Sequence, residues 1–411
     1  MSDFKNYANS FQTVINLSLK RISRLLEYMG NPHLGLNYIH VAGTNAKGSV
    51  CAFLQTALTH SGKKTGKYIS PNLVRVNERI TVDGDEIPEN SLNSLLSEAE
   101  KASEKVLSEI NEHPSQFEIW TAVAFSYFKK MGCDVVVLET GLGGRFDATN
   151  VIKENILSII TRIALDHTEY LGDTYEKIAF EKCGIIKKGS PVVTVNQTDE
   201  ALSVIKERAK EENSALYIAD APVKTNHNLI YERYNDGEFD VFLSLGGMHQ
   251  LENASIAVKA LKVLGVAKES IEYGLTHAEN NARFQLVEKN PPVIFDGGHN
   301  PDGITALKNS LDLYFPNTKK VFICAFMKDK DIEASLKIIK DCASEICFVP
   351  VLDNERAAKE TQLTKESEKA GIPSKWFDDA GDALKYAKTK NQPVIICGSL
   401  YLYKDMEKFF S

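Results

Sequence analysis

Residues 40–49 read His-Val-Ala-Gly-Thr-Asn-Ala-Lys-Gly-Ser and follow a short apolar run, 36–41. A strand that runs into such a segment can hold phosphate. Gly43 allows a tight turn and close backbone approach. Amide groups at the start of the next helix face an anion, and the helix dipole favours negative charge there. Lys47 supplies a cation for outer phosphates, and Thr44 and Ser49 supply hydroxyls for phosphate or metal. The loop is not the common G-x-x-x-x-G-K-[ST] form. Counted back from Lys47, Val41 stands at its first glycine, Ala46 at its second, and Gly48 at its hydroxyl. An ordinary strand-to-helix turn is the competing reading.

Other groups lie where strands should end. Glu139 closes an apolar run, 134–139, that should lie beside the loop strand, and a carboxylate there can hold Mg²⁺ directly or through water. Residues 140–147, Thr-Gly-Leu-Gly-Gly-Arg-Phe-Asp, follow at once, and three glycines in four residues would let backbone approach a ligand. Asp166 and His167 follow the next strand, and His167 could bind metal or move a proton. Lys182 ends a helix expected to begin near Thr174; taken alone it reads as a solvated lysine. Ser70 ends the second strand and could add a hydroxyl to a metal. Farther on, Asp296 ends a strand in Phe-Asp-Gly-Gly-His-Asn-Pro and suits a ribose hydroxyl. Arg283 could reach phosphate from a hinge, and Asn253 could bond an adenine edge.

The elements that must position these groups alternate. Strands are expected at 65–69, 134–139, 156–161 and 191–195, and helices at 50–60, 116–131 and 249–264. The stretch 215–245 looks β-rich and less regular. After Asn-Pro-Pro at 290–292 the alternation restarts, with strands at 293–296, 320–325, 345–351 and 393–397. This is an α/β fold with mainly parallel strands. At 411 residues the chain is too long for one core, so two domains are expected, 1–286 and 287–411, with a site in the cleft between them.

Composition narrows the classes. With 48 basic and 55 acidic residues the net charge is -7, a poor match to nucleic acid. No apolar run is long enough to span a membrane. Seven dispersed cysteines form no C-x-x-C pair, which fits a reduced chain with cysteines as small core residues. The first residues carry no signal-peptide core. A cytoplasmic monomer acting on small molecules is the expectation.

In combination these segments resemble a known family. Gly-Thr-Asn-Ala-Lys-Gly-Ser (43–49), Ser-Pro-Asn-Leu-Val-Arg-Val-Asn-Glu-Arg (70–79), Glu-Thr-Gly-Leu-Gly-Gly-Arg-Phe-Asp-Ala-Thr-Asn (139–150), Ala-Leu-Asp-His-Thr (164–168), Glu-Lys-Cys-Gly-Ile-Ile-Lys (181–187) and Asp-Gly-Gly-His-Asn-Pro-Asp-Gly (296–303) occur in order. They are similar to bacterial folylpolyglutamate synthase/dihydrofolate synthase of the Mur ligase superfamily, over roughly residues 12–405.

The resemblance implies a P-loop-type, mainly parallel N-terminal domain and a smaller Rossmann-like C-terminal domain. It implies an ADP-forming ligase that joins L-glutamate to dihydropteroate and to folates through an acyl phosphate, or to folates alone. Gly43, Thr44, Asn45, Ala46, Lys47, Gly48 and Ser49 would hold ATP phosphates, and Asn253, Arg283 and Asp296 the rest of the nucleotide. Ser70, Glu139, His167 and a carbamylated Lys182 would serve two Mg²⁺ sites. Ile15, Asn16, Leu17, Gln116, Phe117, Arg145 and Phe146 match the substrate side, and His299 a residue near the incoming glutamate. Two departures stand out. Ala46 replaces the usual glycine, which costs roughly 1 kcal/mol or more if φ must be positive. Cys183 replaces the usual alanine.

Overall fold

Short β-branched runs build a parallel sheet buried on both faces. The computed structural model describes residues 18–220, 226–352 and 354–410; Ile15, Asn16 and Leu17 lie outside the described residues. Two compact units form. The first takes residues 1–222 and 252–278, the second 223–251 and 279–411.

In the first unit the strands are β1 (Tyr38–Ala42), β2 (Thr65–Tyr68), β3 (Ile80–Val82), β4 (Asp85–Glu86), β5 (Val135–Glu139), β6 (Leu157–Ile160), β7 (Val192–Val195) and β8 (Leu216–Ala219). Their order is β4-β3-β2-β5-β1-β6-β7-β8. The pairs from β2 through β8 are parallel, and β3 and β4 add an antiparallel edge. The loop strand β1 is central, between β5 and β6, so the ends of three parallel strands meet around residues 42–44.

Helices clothe the sheet. Lys20–Tyr28, Glu89–Ile110 and Gln116–Met131 bury Ile22, Leu25, Leu95, Trp120 and Phe125 with Tyr38, Tyr68, Val136 and Leu138 in one cluster. Tyr175–Cys183 and Asp199–Glu211 bury Ile178 and Ile205 with Ile160 and Val192 in another. In the helix Lys47–His60 every residue from Ser49 to Leu58 except Thr56 is buried. The helix Lys268–His277 lies on it so closely that a β-carbon added at Gly274 would stand 2.7 Å from Ala57 Cβ and 2.9 Å from the Phe53 carbonyl oxygen. Among the described residues no helix is long and apolar enough to cross a membrane.

The second unit holds β9 (His227–Asn228), β10 (Tyr231–Asn235) and β11 (Asp240–Phe242) in a small antiparallel sheet. Its main sheet contains β12 (Gln285–Lys289), β13 (Pro292–Phe295), β14 (Lys320–Cys324), β15 (Ala343–Phe348), β16 (Ser374–Trp376) and β17 (Val394–Cys397). The order is β12-β13-β17-β14-β15-β16, parallel except for the β12–β13 edge.

The sequence suggests one division at 286/287; the compact units divide after 222, 251 and 278. Packing gives the reason. Ile230 joins the core of Phe284, Ile294 and Leu307. The buried Glu232 carboxylate accepts a hydrogen bond from the Tyr314 hydroxyl at 2.6 Å, and the Met248 amide donates to Ser310 Oγ at 2.9 Å. All seven cysteines are buried thiols.

Candidate active site

The loop 43–46 leaves β1 and enters the helix Lys47–His60. Gly43 is required by contact: a β-carbon there would fall 1.7 Å from Thr161 Oγ1. Thr161, just after β6, donates that hydroxyl to the Asn45 carbonyl at 2.6 Å. Thr44 is braced on the same side. Its amide donates to the Arg162 carbonyl at 2.9 Å, and its hydroxyl donates to the Ala164 carbonyl at 3.1 Å and accepts the Ala164 amide at 3.0 Å. The single Thr44 proton is thus already committed to the loop.

Ala46 answers the question its sequence raised: φ is +74°, left-handed, and its side chain does not cap the helix. An alanine at this position offers the first-turn amides no side-chain acceptor. Ala46→Gly should remove left-handed strain of roughly 1–2 kcal/mol but give back about 0.4–1 kcal/mol to the unfolded chain. The expected result in urea unfolding is equal or greater stability. Ala46→Val should lose stability, since a β-branched residue tolerates this φ worst. A glycine variant less stable than its parent would reject the strain argument.

Two lysines converge on one carbonyl. Lys47 Nζ donates to the Gly43 oxygen at 3.0 Å and the Thr44 oxygen at 3.3 Å. Lys182 Nζ donates to the same Gly43 oxygen at 2.8 Å. Lys182 is 4% exposed and is no surface lysine. Burial, and then the neighbouring charge of Lys47, push its ammonium down to about 7, against the pull of Asp166 and Asp147.

Glycines place it there. A β-carbon at Gly144 would stand 2.6 Å from the Lys182 carbonyl oxygen, and one at Gly184 would stand 2.4 Å from Arg145 Cα. The Arg145 amide donates to the Glu181 carbonyl at 2.7 Å. The glycine-rich segment thus packs backbone to backbone on the end of the helix Tyr175–Cys183. Gly141 meets a ring, its added β-carbon falling 2.6 Å from Phe117 Cζ. These glycines read as a ligand approach in the sequence; in the fold they receive protein neighbours. Asp147 closes the turn, its buried carboxylate accepting the amides of Gly141 and Leu142 at 2.8 Å each and of Thr149 at 3.0 Å. Burial raises its carboxyl despite these bonds.

Arg145 stacks on Phe146, 4.7 Å from the ring centre, and faces Phe180 at 5.3 Å. Gln116 and Phe117 open the helix Gln116–Met131, whose start is fixed by Ser115 and Glu118 capping each other.

Glu139 lies beside the loop as expected, in register with Val41 across the parallel β1–β5 pair. It is buried, and its Oε2 accepts the Ser70 amide at 3.2 Å. Ser70 reaches it because β2 is the other neighbour of β5, with Tyr68 opposite Leu138. His167 starts the short helix Thr168–Leu171 with φ +51°; its amide donates to Asp166 Oδ1 at 2.9 Å, and its Nε2 lies 4.0 Å from that carboxylate. Among the described residues no three His, Cys, Asp or Glu side chains form a metal cluster.

In the second unit Asp296 follows β13 and is buried. It accepts the Phe284 amide at 2.9 Å and the Gly298 amide at 2.8 Å, folding the Arg283 segment onto the strand end. Ala282 and Phe284, on either side of Arg283, both have positive φ, +59° and +45°. His299 Nδ1 lies 3.1 Å from the Gly297 carbonyl oxygen, and Asn300 caps the helix Pro301–Tyr314. Asn253 sits in the first turn of the helix Gln250–Val263.

The structure thus brings Gly43, Lys47 and Lys182 together, and Ser70 with Glu139. Thr161 was missed: nothing in a strand-terminal threonine marks it as the partner of a glycine 118 positions earlier. Asn150, in the last position of the segment 139–150, is buried and bonds both the Arg145 and Gly184 carbonyls.

Comparison with known proteins places this geometry. Residues 41–261 match the Mur ligase middle domain, and residues 282–400 match the Mur ligase glutamate ligase domain. The dihydrofolate synthase/folylpolyglutamate synthase of Bacillus subtilis is 35% identical over 409 residues, covering 95% of this chain and 94% of that protein. Among solved structures, Mycobacterium tuberculosis folylpolyglutamate synthase complexed with ADP aligns at a TM-score of 0.92 and 26% identity, covering 100% of this chain and 98% of that one. E. coli FolC in complex with DHPP and ADP aligns at 0.86 and 32% identity, covering 99% and 96%. With both ligase domains in place and relatives matched along nearly their whole length, the chain belongs to the dihydrofolate synthase/folylpolyglutamate synthase family of Mur-type ATP-dependent ligases.

Proposed function

We propose that this chain joins L-glutamate to dihydropteroate and to folates, consuming ATP and releasing ADP and phosphate. The observation that carries this reading is the convergence of Lys47 and Lys182 on the Gly43 carbonyl, at the carboxyl ends of the central strands where buried Glu139 also ends β5. Relatives named for both synthase activities support a bifunctional enzyme over one that only lengthens folates.

A carboxylate is a poor electrophile. Phosphorylation of the substrate carboxylate by ATP gives it a leaving group, and the amino group of glutamate then displaces phosphate to form the amide. Charge spreads over the transferring phosphoryl group, so positioning and cations do most of the catalysis. Lys47 turns from its loop carbonyls toward the phosphates, which lie against the start of its helix. Glu139, Ser70, His167 and a carbamylated Lys182 would hold two Mg²⁺ ions, which would supply charge neutralisation for the phosphates. Arg283, Asp296 and Asn253 contact the rest of the nucleotide. Gln116, Phe117, Arg145 and Phe146 take the pterin-bearing substrate, and His299 stands near the incoming glutamate.

Turnover with ATP, glutamate and dihydropteroate, with nucleotides separated by chromatography, tests this. ADP and phosphate should appear in step with dihydrofolate. Stoichiometric AMP would reject the acyl-phosphate route. Turnover with tetrahydrofolate but none with dihydropteroate would leave the folate-lengthening activity alone.

A further inference from the structure

Asn150 is buried in the short 3₁₀ turn Ala148–Val151. Its side-chain amide touches three segments. Nδ2 donates to the Arg145 carbonyl at 3.0 Å and to the Gly184 carbonyl at 3.1 Å; Oδ1 accepts from Lys187 Nζ at 2.7 Å. The three bonds fix the direction of the amide. Burial pushes the Lys187 ammonium down to about 8, so at neutral pH it is still mostly protonated and can only donate. It therefore turns the amide oxygen toward itself and leaves both N–H bonds for the two carbonyls.

Those carbonyls belong to the two backbone segments that meet at the site. Arg145 sits in the glycine-rich segment, and Gly184 lies two residues beyond Lys182. Gly144 and Gly184 add no side chain to that close approach; across it Arg145 Nη1 lies 3.7 Å from Glu181 Oε1 and the guanidinium faces Phe180, while Asn150 bonds the backbone of both segments at once. The neighbouring residue works on the other side. Thr149 Oγ1 lies 2.8 Å from Nε2 of buried His40, in the loop strand β1.

We propose that Asn150, oriented by Lys187, is a positioning residue that holds the Lys182 end of its helix in register with the glycine-rich segment. It touches neither substrate nor nucleotide; it acts through Lys182 and Arg145. The proposal rests on the reading that Lys182 works in the site. Full activity in Lys182→Ala would remove that reading whatever Asn150 does.

The test uses the full chain with Asn150→Ala, Lys187→Met and the double variant, assayed at a temperature where melting curves show all three folded. Asn150→Ala should lower kcat by roughly 10- to 100-fold, the usual scale for partners that orient a working group. KM for ATP should stay near the parent value, since the loop 43–46 keeps its Thr161 and Ala164 contacts. Lys187→Met should lower kcat less, because the amide remains but loses its orienting donor. The double variant should match Asn150→Ala, since the lysine acts only through the amide. A lowered melting temperature with kcat within about twofold of the parent would overturn the proposal, as would losses that multiply in the double variant. If Asn150→Ala does not fold, Lys187→Met decides alone: unchanged kcat there rejects the orienting role.

Discussion

Lys182→Ala should lose at least roughly 100-fold in kcat/KM, the scale of removing a charge-stabilising group, while the fold persists. A buried ammonium donating to the Gly43 carbonyl would repel Mg²⁺. Addition of CO₂ reverses the charge: the amine lone pair forms an N–C bond, a proton leaves to solvent, and two oxygens suited to Mg²⁺ result. Only the free amine can attack. With Lys182 pushed down to about 7, the free-amine fraction is substantial near neutral pH and falls steeply as the pH drops below it. Stripping CO₂ and bicarbonate should therefore lower the parent's activity most at mildly acid pH. Formate or acetate should restore part of the activity of Lys182→Ala.

Stability gives a second readout. In CO₂-free buffer the unfolded chain keeps this proton up to about 10.5 while the folded chain sheds it near 7. Stability should thus rise with pH across that window, and Lys182→Met should remove its share of the slope. Full activity in Lys182→Ala would return the residue to the role of a merely buried lysine.

Glu139→Gln and Lys47→Ala should each cut kcat/KM by roughly 100-fold or more. Glutamine separates charge from architecture: it keeps an oxygen for the Ser70 amide and loses the negative charge that suits Mg²⁺. Lys47→Ala removes a side chain that bonds only carbonyls of its own loop at 3.0 and 3.3 Å, so little stability should go with it. Circular dichroism and steady-state kinetics at saturating Mg²⁺ check both. Near-normal turnover in either variant removes that residue from the site.

Much of the architecture was legible because it is local. Val-Val-Val-Leu-Glu can be little else than a buried strand, and its end put Glu139 beside the loop before any register was known. The helix Gln116–Met131 lies where its broad apolar face put it, and Ser115 and Glu118 cap its start in the fold. What escaped is long-range. Lys182 looks solvated in its own helix, and only the close approach allowed by Gly144 and Gly184 buries it. The φ of Ala46 is set by the turn from β1 into its helix, which propensity does not report. The stretch 215–245 looked like a β-rich, less regular part of the first domain, whereas 223–251 belong to the second unit. Their partners, Ser310 and Tyr314, lie more than sixty positions away, and no local pattern names them.

That same division governs how the chain can be cut and how it emerges from the ribosome. The helix Lys47–His60 is made early, yet the helix that packs on it through Gly274 ends only at His277. Between them the chain leaves the first unit at 222 and returns at 252. A nascent chain released before residue 278 would leave Phe53 and Ala57 without their partner, so the first unit cannot finish folding as a simple N-terminal piece. No single protease cut frees either unit whole. An expression fragment ending near 222 should be an aggregation-prone torso, whereas a circular permutant that opens the chain within 223–251 still carries every residue of both cores.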